Sequence, residues 1–386
     1  MKNIIMCLSL ILSVISCISC NDSNYLPDNN LETNSPNTNT TLSSIEILYN
    51  KSVTYLNDFN EKEVELTAFY SDKTKEIYKN NDLEFNYNDF NSKKIGKYTI
   101  DVKVKKLDIQ VSLNVEVVPV KSFNLLMIGN SFSDDTIQWV YEICDSLGIT
   151  VKLGNLVIGG CSLDTHYSNY LTSSKSYAYR TYNKTLNSWQ TTLDYDIKRA
   201  LGNYEWDYVS LQQVSGLSGQ PESYSNLQSL IEQIQKYSPN VKFIWNMTWA
   251  YQKDSTHNDF YRYENDQVLM YNFIVNTVNQ TIKTLDMFEI IIPNGTAIQN
   301  ARTSFIGDTL TRDGHHLTYD LGRYIAGLTL VKTITGVDVT QINYAPNGLS
   351  EEYIKIAIES CNNAFENPFS ITNSTYTSMP TNDNSN

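Results

Sequence analysis

Serine, histidine and aspartate stand at positions from which they could together catalyse acyl transfer. Ser131 follows an aliphatic run in LLMIGNSFSDD, and the segment TRDGHHLTYD carries Asp313, His315 and His316. A serine hydroxyl becomes a nucleophile when a histidine takes its proton and a carboxylate orients that histidine. Ser131 has an alternative role as the N-cap of the helix that DDTIQWVYEICDSLG predicts. The residues by themselves therefore predict either a nucleophile or a helix cap at this position.

Candidate donors to the negative charge of such a reaction follow two other aliphatic runs. Gly160 lies in NLVIGG, and Gln212 and Gln213 follow WDYVSL. Acyl transfer develops an oxyanion, which backbone N–H groups and side-chain amides stabilise. Neighbouring residues of a strand point to opposite sides, so only one of the two glutamines should face the site. The alternative for either glutamine is that it only caps the strand.

The order of apolar segments indicates how these residues come together. Short aliphatic runs alternate with helix-like segments, and the runs are FNLLMIG, VKLGNLVIGG, WDYVSLQQ, VKFIWNMTW and FEIIIPNG. Strands that are buried on both faces and separated by amphipathic helices specify a parallel sheet with helices on each side. In such sheets the functional residues gather at the carboxyl ends of the strands. Ser131, Gly160 and the two glutamines all stand at predicted ends of this kind.

The region 121–370 resembles the SGNH (GDSL-like) hydrolase superfamily, and most of all an exported branch described only as a domain of unknown function. IGNSFSDD is similar to the first motif of that superfamily, NLVIGG to the second and DGHH to the final Asp-x-x-His. The resemblance implies a three-layer α/β/α, flavodoxin-like domain with a parallel sheet. It makes Ser131 the nucleophile, His316 the base and Asp313 the partner of that base. The N–H groups of Ser131 and Gly160 become oxyanion donors.

The third motif departs from the pattern of the superfamily. An asparagine after a glycine is usual there, whereas this chain has Gln212 and Gln213, as in carbohydrate-esterase relatives that use a glutamine as the amide donor. Gln212 is the preferred candidate because it is the first polar residue after the buried run Tyr208 to Leu211. The resemblance therefore implies a glutamine amide in the oxyanion site.

Candidate substrate contacts lie in the loop WAYQKDSTHNDFY. Trp249, Tyr251 and Gln252 are predicted to contact a sugar, because aromatic faces stack on the apolar side of pyranose rings. Simple packing is the alternative for these residues. The chain has four histidines, and the cysteines outside the predicted signal peptide, Cys144, Cys161 and Cys361, show no CxxC spacing, so the sequence predicts neither a metal site nor another cofactor.

The segment 45–120 has a different period. Apolar and polar residues alternate with period two between Asn, Asp and Gly turns, which predicts a small antiparallel β-sandwich. The order of its strands resembles bacterial immunoglobulin-like domains. The segment has no histidine and no cysteine. A spacer or a weak adhesion module is therefore the expected role.

The first residues predict export. Residues 1–20 read as a signal peptide whose end resembles a lipoprotein box, with lipidation at Cys17 or alternatively at Cys20. An ordinary signal peptide is the other possibility. Residues 21–44 are rich in Asn, Ser, Thr and Asp and predict a disordered tether, and residues 371–386 a disordered tail. We expect a lipoprotein of the outer membrane, on its periplasmic or cell-surface side.

Charge and context narrow the function further. A net charge of −13 excludes a nucleic-acid-binding surface, because such surfaces cluster Lys and Arg. The predicted lipid anchor would hold a serine esterase near glycans at the cell surface. We therefore expect a carbohydrate O-acetylesterase that acts on an acylated glycan or another small ester. The alternatives are a non-catalytic glycan-binding lipoprotein and a lipase or thioesterase of the same fold.

Overall fold

The computed structural model describes residues 40–379. The chain divides into two compact units, and the division falls between Val117 and Val118, whereas the sequence predicted it at residue 120. The predicted signal peptide, both candidate lipidation cysteines and most of the predicted tether lie outside the described residues, as do the last residues of the predicted tail.

The N-terminal unit is built from two antiparallel sheets. Its strands are β1 (Leu42–Leu48), β2 (Val53–Thr54), β3 (Glu65–Tyr70), β4 (Lys75–Lys79), β5 (Leu83–Asn86), β6 (Gly96–Val104) and β7 (Ile109–Val118). One sheet has the order β1-β3-β4 and the other β2-β7-β6-β5. The predicted tether boundary at residue 44 is wrong, because Leu42 already pairs with Tyr70 of β3.

The predicted alternation accounts for the interior of this unit. In β6, Ile100, Val102 and Val104 are fully buried, and the residues between them are more exposed. Alternate side chains of a strand point to opposite faces, so β6 contributes one apolar face to the core. The sandwich prediction is confirmed. The likeness to immunoglobulin-like domains stays a prediction.

The C-terminal unit is organised around one seven-stranded sheet. Its strands are β8 (Ser122–Gly129), β9 (Thr150–Val157), β10 (Tyr177–Asn183), β11 (Ser188–Tyr195), β12 (Tyr208–Leu211), β13 (Lys242–Asn246) and β14 (Phe288–Ile292). The order across the sheet is β11-β10-β9-β8-β12-β13-β14. Within it, the five neighbouring strands β9, β8, β12, β13 and β14 pair in parallel. These five parallel strands have the flavodoxin-like order 2-1-3-4-5, so the predicted fold class is confirmed.

A hairpin extends this sheet beyond the predicted parallel core. Strand β10 pairs antiparallel with β9, through Ala178 opposite Val157, and antiparallel with β11 on its other side. Residues Gln190 to Asp194 of β11 are exposed. The hairpin therefore covers the edge of β9 and leaves its own outer strand largely in water.

Helices cover both faces of the sheet. They are α1 (Ser131–Ile137), α2 (Val140–Ser146), α3 (Leu163–Thr172), α4 (Ile197–Leu201), α5 (Leu227–Tyr237), α6 (Gln267–Thr277), α7 (Asn294–Arg302), α8 (Leu321–Thr335) and α9 (Glu351–Glu366). Helix α8 contacts α1, α2, α7 and α9, whereas α3 contacts α4 and α5. Among residues 40–379, no helix has the length and apolar character needed to cross a membrane.

The end of the chain differs from the predicted disordered tail. Thr372 donates its N–H to Asn300 Oδ1 at 2.7 Å, and Ser374 donates its N–H to Thr303 Oγ1 at 2.7 Å. The Tyr376 carbonyl accepts from the N–H of Phe305 at 2.8 Å. The prediction of disorder is therefore wrong for the described residues after 371, because polar groups of α7 and of the residues that follow it pair with their backbone.

Candidate active site

The candidate nucleophile lies where the central strand passes into a helix. Strand β8 ends at Gly129, Asn130 is extended with φ −130° and ψ −159°, and α1 begins at Ser131. Asn130 is the N-cap, because its Oδ1 accepts from the N–H of Phe132 at 3.0 Å. The alternative that Ser131 caps this helix is therefore wrong. A Cβ on Gly129 would lie 2.9 Å from Ser133, so glycine permits this tight turn.

Ser131, His316 and Asp313 form one hydrogen-bonded series. Ser131 Oγ lies 2.7 Å from His316 Nε2, and His316 Nδ1 lies 2.7 Å from Asp313 Oδ2. A carboxylate at Nδ1 holds the proton there, which leaves the lone pair of Nε2 free to accept the serine proton. The three residues that the motifs single out are thus brought together in the order that nucleophilic catalysis requires.

The carboxylate of this series is held in its ionised form. Partial burial acts to raise the pKa of Asp313. Hydrogen bonds from the side chain and N–H of His316 and from the N–H of His315 outweigh burial and lower the pKa to about 2. Asp313 is therefore negatively charged at neutral pH and can stabilise an imidazolium at His316.

A buried carboxylate on α1 fixes the segment that carries the acid and the base. Asp135 is fully buried, and it accepts from the N–H of Leu317 at 2.8 Å. It also accepts from Arg312 Nη1 at 3.1 Å and from Arg323 Nε at 2.8 Å. Arg312 and Leu317 flank the Asp313–His316 segment on both sides. The nucleophile helix and the loop of the base are thereby joined through one ion cluster.

Free backbone donors lie beside the serine. Among the described residues, the N–H groups of Ser131, Gly159 and Gly160 have no hydrogen-bond partner. Gly160 has φ +64°, and neither glycine has another atom within 4 Å of where its Cβ would stand. Both glycines are exposed. The predicted donors at Ser131 and Gly160 are therefore unoccupied by the protein's own acceptors, and Gly159 adds a further candidate.

The two glutamines face opposite ways, as alternation predicts. Gln213 donates both amide hydrogens to Ser223, to its carbonyl at 2.8 Å and to its hydroxyl at 3.0 Å. Gln213 therefore has no proton for an oxyanion, and its predicted role as a donor is wrong. Gln212 donates to Asn130 Oδ1 at 2.8 Å and accepts from Asn246 Nδ2 at 2.8 Å. Its amide is held within a buried network.

The predicted sugar contacts at Trp249 and Tyr251 are wrong, because both side chains are 0% exposed. The Trp249 ring stacks on Phe132, with 4.3 Å between centroids and 4° between planes, and its Nε1 donates to the His315 carbonyl at 2.8 Å. The Tyr251 hydroxyl lies 2.8 Å from Ser215 Oγ. The two aromatic residues therefore pack beneath the site.

Gln252 is half-buried and also supports the loop of the base. Its N–H donates to the Gly314 carbonyl at 2.8 Å, and its Oε1 accepts from Thr311. Both partners lie within a few residues of Asp313. These hydrogen bonds place Gln252 against the loop, where its contacts are with protein, and its predicted contact with a sugar stays a prediction.

Three of the four histidines form a cluster at this loop. The His315 ring lies 4.0 Å from the His316 ring and 4.7 Å from the His257 ring. Burial, and after it the charge of His316, lowers the pKa of His315. Within residues 40–379, the side chains of Asp313, His315 and His316 are near enough to one another for a metal ion, with ligand atoms inside 4.8 Å. The mutual hydrogen bond of Asp313 and His316 already engages two of these three.

Several residues of the site were missed in the sequence. Asp135 and Arg312 form the ion cluster, and Asn246 and Asn294 contact the glutamine network. The asparagines had a usable signal, since each closely follows an aliphatic run, in FIWNM and IIIPNG. The only sequence signal for Asp135 was weak, namely its position as the second acidic residue of SFSDD, four residues after Ser131.

Solved structures of two esterases match part of the chain. An acetylxylan esterase from Geobacillus stearothermophilus is 11% identical, with a TM-score of 0.35, and the match covers 56% of this chain and 95% of that chain. A family 3 carbohydrate esterase from Clostridium thermocellum is 15% identical, with a TM-score of 0.34, and the match covers 55% and 95%. Among curated proteins, none matches the chain significantly.

The family itself is shown by two further matches. The model of DUF4886, a domain of unknown function, matches residues 124–364. The crystal structure of a DUF4886 family protein from Bacteroides uniformis is 38% identical, with a TM-score of 0.64, and the match covers 67% of this chain and 100% of that chain. The Ser131 turn and the Asp313–His316 loop both lie within the residues that the family model matches. The chain therefore belongs to the DUF4886 family.

Proposed function

We propose that the C-terminal unit is a serine ester hydrolase. The observation that carries the proposal is the continuous series from Ser131 Oγ through His316 to Asp313, with both hydrogen bonds at 2.7 Å. Ser131 Oγ attacks the acyl carbon while its proton passes to His316 Nε2. His316 then protonates the leaving alcohol, and water, deprotonated by the same histidine, releases the acid and restores Ser131.

The oxyanion of the tetrahedral intermediate has donors at hand. The N–H groups of Ser131 and Gly160 point to no acceptor in the described protein, and the glycine turn leaves open space above them. Backbone donors held in place before the reaction stabilise developing charge without reorganising. We therefore place the oxyanion between α1 and the Gly159–Gly160 turn.

We further propose an O-acetylated carbohydrate outside the cytoplasm as the substrate. Ser131 is half-exposed, and Asp313, Gly159 and Gly160 are exposed. An open site of this kind suits a large, polar alcohol such as a glycan. The predicted signal peptide, lipidation at Cys17 or Cys20 and tether support a lipoprotein of the outer membrane, which would meet such glycans at the cell surface or in the periplasm.

The test is the loss of the nucleophile. Ser131→Ala should abolish hydrolysis of 4-nitrophenyl acetate and of an acetylated oligosaccharide while the thermal unfolding temperature stays unchanged, because alanine fits the same space. Ser146→Ala, at the end of α2, is the matched control and should keep full turnover. Wild-type turnover in Ser131→Ala would rule the proposal out.

The length of the acyl group and the nature of the alcohol distinguish a carbohydrate esterase from a lipase or thioesterase. Faster release of acetate from an acetylated oligosaccharide than of octanoate from its nitrophenyl ester, compared as kcat/KM, is the expected result. The reverse order with Ser131 still required would replace the carbohydrate esterase by a lipase or thioesterase.

A further inference from the structure

Four buried side-chain amides form a continuous series along the carboxyl edge of the sheet. Each stands at or just after the end of a parallel strand, and they are Asn130 after β8, Gln212 after β12, Asn246 at the end of β13 and Asn294 after β14. All four are at most 1% exposed. We call them the amide series.

Each amide donates to the next in one direction. Asn294 Nδ2 donates to Asn246 Oδ1, Asn246 Nδ2 to Gln212 Oε1, and Gln212 Nε2 to Asn130 Oδ1, each at 2.8 Å. Asn130 Nδ2 then donates to the carbonyl of Cys161 at 3.1 Å. The series thus crosses the ends of β14, β13, β12 and β8 and finishes on the turn after β9.

Backbone groups fix the direction of the whole series. Asn130 Oδ1 accepts from the N–H of Phe132, and Asn130 Nδ2 donates to a carbonyl, so its oxygen and nitrogen cannot be exchanged. Gln212 must therefore present its nitrogen to Asn130 and its oxygen to Asn246. The same requirement passes on to Asn294, whose Oδ1 has no partner among the described residues.

Asn130, the last amide of the series, holds the turn that carries the free N–H groups, because it donates to the Cys161 carbonyl. Cys161 follows Gly159 and Gly160 directly, and its N–H closes the turn onto the Ile158 carbonyl at 3.2 Å. The two glycines are exposed and have no side chains to pack. The hydrogen bond from Asn130 therefore ties this turn to the residue that precedes the nucleophile.

Aligned amides in a dry interior reinforce one another. Hydrogen bonds in a chain polarise their neighbours, and a buried amide that loses its partner costs free energy until the structure rearranges. A change at Asn246 or Asn294 therefore acts on the turn through Gln212 and Asn130, since the side-chain hydrogen bonds of both residues go to Gln212, to Thr136 and to each other.

We propose that the amide series positions the oxyanion turn. Gln212, Asn246 and Asn294 are positioning residues, and they set the place of the Gly159 and Gly160 N–H groups relative to Ser131. This inference rests on the proposed ester hydrolysis, and it gives Gln212 a part other than the direct oxyanion donor that the sequence predicted.

The test compares buried amides inside and outside the series. Asn246→Ala should lower kcat on nitrophenyl acetate on the order of 10-fold to 10²-fold with KM unchanged, because small misplacements of catalytic groups have effects of this size. Affinity for an alkyl boronic acid, whose adduct with Ser131 carries an anionic oxygen, should fall by a similar factor. Asn294→Ala should show the same pattern more weakly.

Asn300→Ala is the matched control. Asn300 is equally buried on α7, accepting from Thr372 N at 2.7 Å and donating to the Ser360 carbonyl at 3.5 Å, yet it lies outside the series. It should lose stability and keep kcat and boronate affinity. If Asn246→Ala does not fold, Asn294→Ala decides, because its Oδ1 has no hydrogen bond to lose.

The experiments distinguish failure of the positioning inference from failure of the proposed ester hydrolysis. Should Asn246→Ala and Asn294→Ala match Asn300→Ala in kcat and boronate affinity while Ser131→Ala is inactive, the inference is overturned and the esterase remains. An active Ser131→Ala would overturn both.

Discussion

At the scale of residues, two adjacent histidines have different surroundings. His316 lies between Ser131 and Asp313, whereas the nearest ring neighbours of His315 are His316 and His257. Only the former can take the serine proton and be oriented by the carboxylate. Burial, and after it the charge of His316, lowers the pKa of His315 and so disfavours a second positive charge beside the base.

His316→Ala should therefore lose activity and His315→Ala should keep most of it. Loss of a triad histidine lowers kcat on the order of 10⁶-fold in a serine protease, and we expect His316→Ala to approach that size. Steady-state kinetics on nitrophenyl acetate measures both variants. If His315→Ala were inactive and His316→Ala stayed active, the base would be His315 and the assignment to His316 would be wrong.

At the scale of elements, the ion cluster of Asp135 joins α1, α8 and the loop of the base. Asp134, its neighbour on α1, forms a single ion pair among residues 40–379, with Arg180, and its side chain is 25% exposed. Burial raises the pKa of Asp134, an effect that Arg180 partly offsets. The two adjacent acids therefore differ in burial and in the number of arginines that they pair with.

Asp135→Ala should destabilise the protein far more than Asp134→Ala. Removing one partner of a buried ion pair costs about 3–5 kcal/mol, because the remaining charges stay buried without a counterion. Arg312 and Arg323 would both lose their carboxylate. Urea unfolding measures the difference, and equal losses for the two variants would show that the cluster does not hold the elements together.

Helix α3 offers a pH-dependent test of burial. His166 is 0% exposed, its Nδ1 lies 2.9 Å from the Tyr177 hydroxyl, and burial lowers its pKa to about 3. An unfolded histidine titrates near ~6.5, so the unfolded chain binds the proton first as the pH falls. The stability from this group is complete above about pH 6.5 and is lost as the pH falls toward 3.

His166→Asn should remove this dependence, because asparagine does not titrate. Below about pH 6.5, the unfolding free energy of the wild type should fall more steeply than that of the variant, by about 1.4 kcal/mol per pH unit. Urea unfolding at several pH values between about 7 and 5 measures both slopes. Parallel slopes would contradict a neutral, buried His166.

At the scale of the whole molecule, every group of the proposed mechanism lies in the C-terminal unit. The triad, the glycine turn, the amide series and the ion cluster all fall after Val118. The N-terminal unit contributes two β-sheets with their own apolar interior. This division agrees with the spacer role predicted for the sandwich.

The fragment 118–386 should hydrolyse nitrophenyl acetate with the kcat of the full chain. The hydrogen bonds described for the site join residues of that unit, so a small ester should meet the same groups. Turnover and circular dichroism of the fragment and the full chain provide the comparison. A folded fragment with strongly reduced kcat would assign the N-terminal unit a part in catalysis.

The sequence by itself determined the two units and most of the site. Period-two alternation and buried aliphatic runs are local properties, so they predicted the sandwich, the parallel sheet and the strand ends at which Ser131 and Gly160 stand. The Asp-x-x-His spacing identified Asp313 and His316, because both lie in one short loop and need no distant partner to be recognised.

Only the tertiary structure decided which side chains are neighbours across the sheet. Asn294 and Asn130 are far apart in sequence, and the strand order alone brings their amides into one series. Trp249 and Tyr251 have the residue types of a sugar platform, yet the elements packed over them bury both. Local pattern fixes what a residue can do, whereas its partners and its exposure depend on contacts between segments distant in the chain.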